Sequence, residues 1–130
     1  QQEIVPPQHI ILVGSRKYRK DEFIFLKQNK IRYFDIQKIN ELGIQEINEL
    51  LMENARNFEH FYLSIDLDVL DPGVAMVKVP EPNGLTSREL LFLCNGLKRL
   101  KNNAGMDISE MKEDEKTAAL VAKIIVEMNL

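Results

Sequence analysis

Three aspartates near the middle of the chain are the residues best placed to do chemistry. They lie in HFYLSIDLDVLDPG, residues 60–73, as Asp66, Asp68 and Asp71. The run is otherwise largely apolar and reads as a strand, and a carboxylate taken out of water without a partner is costly. Side chains alternate along a strand, so Ser64, Asp66 and Asp68 are expected on one side and Ile65, Leu67 and Val69 on the other. Two carboxylates on one side stand about 6–7 Å apart at the backbone. Alone they repel, and one tends to stay protonated; a divalent cation reverses that balance. The competing reading is that these acids are solvated or cap a turn. It is favoured for Asp71, because Asp before Pro72 is a common turn start. Asp107 and Glu110, in GMDISEM, end the last apolar run. A carboxylate there suits a cationic group of a substrate.

The elements that would position these acids follow from periodicity. Four short apolar runs read as strands: residues 9–14, 31–36, 60–67 and 104–109. Between them the apolar spacing is helical. In IQEINELLMENARNF, Ile44, Ile47, Leu50, Leu51 and Ala55 share a face. In TSRELLFLCNGLKRL, Thr86 and Glu89 form a capping box ahead of Leu90, Leu93, Cys94 and Leu97. The last helix starts near Glu115 and stacks Leu120, Val121, Ile124, Ile125 and Met128, and a further short helix is expected over residues 20–29. Pro6-Pro7 reads as a loop leading in. Strands alternating with helices imply a parallel sheet with right-handed crossovers. Near-continuous apolar strands suit a sheet covered on both faces. In such a sheet ligands bind outside the carboxyl ends of the strands, where Asp66, Asp68 and Glu110 fall.

Composition narrows the classes. The chain has 130 residues, enough for one domain or a piece of a larger one, with 45% apolar and 28% charged residues. A net charge of −3 gives no polyanion-binding surface, so no nucleic-acid partner is expected. No apolar run reaches the roughly 18–20 residues needed to cross a bilayer. Cys94 is the single cysteine, which excludes an internal disulfide and fits a reducing, cytoplasmic setting.

SIDLDVLDPGVA, PEPNGLTSRELL and GMDISEM together resemble the ureohydrolases, the family of arginase and agmatinase. The family pattern S-x-D-x-D-x-x-D-P is matched by Ser64, Asp66, Asp68, Asp71 and Pro72. G-G-L-T-x-R-E is matched by Gly84, Leu85, Thr86, Arg88 and Glu89. G-x-D-I-x-E is matched by Gly105, Asp107, Ile108 and Glu110, a following T-A by Thr117 and Ala118, and V-x-I-G-x-R by the opening ILVGSR. The resemblance implies a three-layer α/β/α sandwich around a parallel sheet, present here as a partial sheet of about four strands. It implies hydrolysis of a small guanidino substrate to an amine and urea by a water shared between two Mn²⁺ ions. It assigns Asp66 and Asp68 as metal ligands and Glu110 as the acid that steers the guanidinium. The PEPNGLT loop resembles agmatinase loops and puts agmatine ahead of arginine. Family members assemble as homo-oligomers.

Two departures shape the expectation. The family's other ligands, from G-G-D-H and D-A-H-x-D segments, have no counterpart. The histidines are His9 and His60, and His60 lies roughly 20 Å along the strand from Asp66. Residues 1–130 are therefore expected to be the carboxyl-terminal portion of a ureohydrolase domain, inactive alone and with a strand edge left open to another chain. The alternative is a truncated or degenerate non-catalytic relative. The second departure is that MVKVP, residues 76–80, replaces the family's P-G-T-G-T-P, losing both glycines and adding Lys78. Asn83 stands for the first glycine of G-G-L-T, a milder change because Asn tolerates positive φ. DLDV also fits, superficially, the strand-ending D-x-D-x-[TV] of aspartate-nucleophile phosphohydrolases, but that motif usually opens the domain, here two β-α units precede it, and no suitable later Lys and acidic pair follows.

Overall fold

The computed structural model describes residues 4–128. Four strands form: β1 (Ile11–Val13), β2 (Arg32–Phe34), β3 (Phe61–Asp66) and β4 (Asn103–Ser109). Five helices accompany them: α1 (Lys20–Gln28), α2 (Ile36–Leu42), α3 (Ile44–Arg56), α4 (Ser87–Lys98) and α5 (Glu115–Met128). The element order agrees with the sequence expectation except for α2. Asp35, expected inside a strand, is extended but accepts the Lys38 amide at 2.8 Å and so caps α2. Gly43 separates α2 from α3 at φ +85°, a backbone conformation that suits glycine. Pro7–His9 form one short 3₁₀ turn rather than an irregular loop.

The strands are parallel, but among the described residues they form two pairs rather than one sheet. β1 pairs with β2 and β3 with β4. In the second pair Ser64 stands beside Asp107, Ile65 beside Ile108 and Asp66 beside Ser109. The two sides of this pair differ. Leu63, Ile65, Met106 and Ile108 join the hydrophobic core with Ile47 of α3, Leu90 and Leu93 of α4, and Ile124 of α5. Tyr62, Ser64, Asp66, Asp107 and Ser109 are exposed. Among the described residues that side of β3 and β4 is left uncovered. It is polar, which periodicity in the strands already permits.

Local chemistry sets the helix starts. Thr86 Oγ1 accepts the Glu89 amide at 3.1 Å and Glu89 accepts the Thr86 amide at 3.0 Å, the reciprocal cap expected from the sequence. Asp114 Oδ2 accepts both the amide and the hydroxyl of Thr117 at 2.9 Å, which starts α5. Thr117 is fully buried, and its hydroxyl oxygen also accepts the Met76 amide at 2.8 Å. The start of α5 is thereby fastened to the loop that follows β3.

Candidate functional site

β3 ends at Asp66, and Leu67–Val69 turn as one 3₁₀ unit. Asp68 is therefore not on the strand, and the alternation that was to align it with Asp66 stops two residues short of it. The cause is local: Asp66 Oδ1 accepts the Asp68 amide at 2.8 Å, a side-chain bond that takes the place of a ladder bond. Asp68 Oδ1 in turn accepts the Val79 amide at 3.0 Å. Asp66 is exposed and Asp68 half-buried, so solvent and backbone N–H groups offset the desolvation cost that the sequence raised.

Glu110 follows β4 in a left-handed conformation, φ +64°. A non-glycine residue there carries backbone strain, and such strain concentrates at functional positions. Its carbonyl accepts the Lys78 amide at 3.1 Å, and Val77 bridges Met111 in antiparallel fashion. The loop MVKVP is thus the element that joins the ends of β3 and β4: Lys78 is bonded to Glu110 and its neighbour Val79 to Asp68.

Asp71 behaves as a turn former. Its carboxylate accepts the amides of Gly73 and Asn83, both at 3.1 Å. The Gly73 N–H, followed by those of Gly84 and Asn83 and the charge of Arg16, holds its pKa below the ordinary carboxylate value. Asn83 takes φ +65°, as its substitution for glycine anticipates.

Arg16 is the structural residue that periodicity did not reveal. It follows β1, and its guanidinium donates to the carbonyls of Asp68 at 2.7 Å, Leu70 at 2.8 Å and Glu81 at 3.1 Å. One side chain thus pins the acid-bearing turn from the neighbouring strand pair. Gly84 leaves it room: a Cβ there would overlap the guanidinium and the backbone at Leu70 and Asp71. The one trace of this in the sequence is the ILVGSR motif, which carries the arginine but not its partners.

On the exposed side of β3 and β4, Ser64 Oγ donates to Asp107 Oδ1 at 2.8 Å. The same carboxylate, as acceptor and as charge, raises the Tyr62 phenol pKa above its ordinary value. His9 and His60 are exposed, as expected, and His60 stands at the opposite end of β3 from Asp66. An open hollow lined by Leu26, Tyr33, Asp35 and Glu41 lies elsewhere, and none of the site acids borders it.

The fit to a metal is partial. Asp66 and Asp68 each commit one oxygen to a backbone amide and leave the other for a cation. Among the described residues no three His, Cys, Asp or Glu side chains gather into a set that could hold an ion. Two carboxylates fall short of the six oxygen or nitrogen donors of an octahedral manganese-type site.

A parallel-stranded α/β chain whose acids collect at the carboxyl ends of its strands has the arrangement of the open α/β class, in which ligands bind at that edge. The arginase family model matches residues 1–130, and the chain belongs to that family. Arginase of Staphylococcus aureus (strain MRSA252) is 33% identical over 115 residues, covering 83% of this chain and 37% of the relative. The crystal structure of Entamoeba histolytica arginase in complex with L-ornithine superposes with a TM-score of 0.87 at 24% identity, covering 95% of this chain and 44% of that one. Formimidoylglutamase of Bacillus subtilis superposes with a TM-score of 0.82 at 24% identity, covering 94% and 40%. The fold is therefore the arginase-like α/β fold, and the chain spans less than half the length of these relatives.

Proposed function

We propose that this chain is the carboxyl-terminal portion of a metal-dependent hydrolase that cleaves a small guanidino compound and releases urea. The observation that carries the reading is the loop of residues 76–79, which ties Asp68 and Glu110 to one another through the amides of Val79 and Lys78. It is supported by family membership and by the strained backbone of Glu110. In this reading Asp66 and Asp68 donate their uncommitted oxygens to Mn²⁺, and Glu110 orients the guanidinium. Arg16 keeps the Asp68 turn in register. Bound metal would supply a hydroxide at neutral pH, but the two carboxylates here do not complete such a site, and its remaining ligands belong to other polypeptide. The complete protein is a homo-oligomer of the cytoplasm. The PEPNGLT loop is the one feature that favours agmatine, and the positive charge of Lys78 in the preceding loop weighs against it.

Calorimetry with Mn²⁺ tests the metal assignment. Binding to this chain is expected to be weak or undetectable, and any that is seen is expected to vanish in Asp66→Ala. Submicromolar affinity, or urea release by the isolated chain, would contradict the reading. A non-catalytic relative is the second reading, favoured by the glycine-free loop and its Lys78. In-frame G-G-D-H and D-A-H-x-D segments in the upstream gene sequence separate the two, since only the enzyme requires them.

A further inference from the structure

Lys78 occupies a position that bears on what the substrate carries at its far end. Its amide is bonded to Glu110, and the next residue's amide is bonded to Asp68. The loop holding it is fixed. Val77 is buried at 3% exposure, Met76 is fastened to the buried Thr117, and Lys116 Nζ donates to the Gly73 carbonyl at 2.8 Å. The Lys78 side chain is exposed and enters none of the ion pairs among the described residues. A fixed backbone therefore carries Lys78 next to Glu110, with its ammonium outside every ion pair among the described residues. Met76 and Val79, 52% and 64% exposed, flank it and offer apolar surface to a polymethylene chain.

We propose that Lys78 selects guanidino compounds whose far end is a carboxylate over those whose far end is an amine. The inference rests on the reading of Glu110 as the guanidinium-steering acid. With the guanidinium at Glu110, a linear substrate runs its methylenes along Met76 or Val79 and brings its other end to the Lys78 ammonium. A carboxylate there gains an ion pair, and an ammonium such as that of agmatine is repelled. At a solvent-exposed site one such charge contact changes affinity by about five-fold in either direction.

The test is an amide NMR titration of the 130-residue chain with three probes that share a guanidinium: propylguanidine, agmatine and 4-guanidinobutanoate. Shifts are read at Lys78, Val79 and Glu110. The carboxylate probe is expected to bind about five-fold more tightly than propylguanidine, and agmatine about five-fold more weakly. In Lys78→Met the three affinities are expected to converge within two-fold, and in Lys78→Glu the order is expected to reverse. Agmatine binding as tightly as the carboxylate probe, or a preference that survives Lys78→Met, would overturn the inference and leave the guanidinium site standing. If none of the probes, the neutral one included, shifts the Glu110 amide of the folded chain, the assignment of Glu110 to the guanidinium is overturned and the inference falls with it, whereas the metal assignment is decided by the calorimetry.

Discussion

Replacing Arg16 by methionine removes the guanidinium while keeping most of the stem. Three carbonyls lose a charged donor: those of Asp68, Leu70 and Glu81. A hydrogen bond to a charged group contributes about 1.5–3 kcal/mol. The bond to Glu81 is the longest and is exposed, and water replaces part of what the others lose. A net destabilisation of about 3 kcal/mol is therefore expected, or roughly 10–15 °C in Tm for a domain of this size. Urea unfolding followed by circular dichroism, with m unchanged, measures it. Arg16→Lys keeps the charge but not the fork that reaches separate acceptors, so it is expected to recover less than half of the loss. Gly84→Ala places a Cβ against the same guanidinium and within 2.5 Å of the Asp71 amide nitrogen. The two changes share a contact, so their combined cost is expected to be less than the sum. Arg16→Met within about 0.5 kcal/mol of the parent, the ordinary range of surface changes, would refute the latch, as would full stability in Arg16→Lys.

Acid stability is expected to depend on Asp71 and Asp114, whose pKa values are both held down, chiefly by the amides of Gly73 and Thr117 respectively. Their folded-state values lie below the unfolded one, so their contribution is in place above about pH 4 and is lost as pH falls through the depressed values. Asp114→Asn, which keeps a helix cap, is expected to make urea midpoints less sensitive to pH in that range; an unaltered profile would contradict the assignment. Burial pushes the Cys94 thiol pKa up to about 11. Iodoacetamide is therefore expected to label Cys94 only as urea opens the fold, and labelling at a free-thiol rate in native buffer would contradict its place in the core. A Cβ at Gly96 of α4 would overlap the buried Asn48 side chain of α3. Gly96→Ala is expected to cost about 1–3 kcal/mol, with part of it recovered in the Asn48→Ala background; a cost that Asn48→Ala does not relieve would show that the strain lies elsewhere.

Much of the fold was legible because it is local. Thr86 and Glu89 announce the start of α4 three residues apart, and the apolar spacing from Leu120 to Met128 marks α5, whose Asp114–Thr117 cap is seen only in the structure. The misplaced element boundaries are local too, and they have one cause. Asp35 and Asp66 both sit within apolar runs of the sequence, and both use a carboxylate to bond an amide two or three residues onward. That bond ends the strand and starts a helical turn, so β2 is shorter than expected, α2 was missed, and Asp68 left the strand. Apolar periodicity does not register such a choice. The division into two strand pairs and the reach of Arg16 across 52 and 54 residues are non-local. No spacing in the sequence encodes them. For the site, residue types pointed to Asp66, Asp68 and Glu110, whereas the role of residues 76–79 in joining them emerged only from the hydrogen bonds.

The outward side of β3 and β4 carries Tyr62, Ser64, Asp66, Asp107 and Ser109, groups that water satisfies. Dressed this way, the pair can stand in solution without the stickiness of a bare leucine surface. The same dressing restricts what could ever be layered over it. An aliphatic lid would strand two carboxylates, whereas one bearing hydroxyls, amides or cations would meet each with a donor.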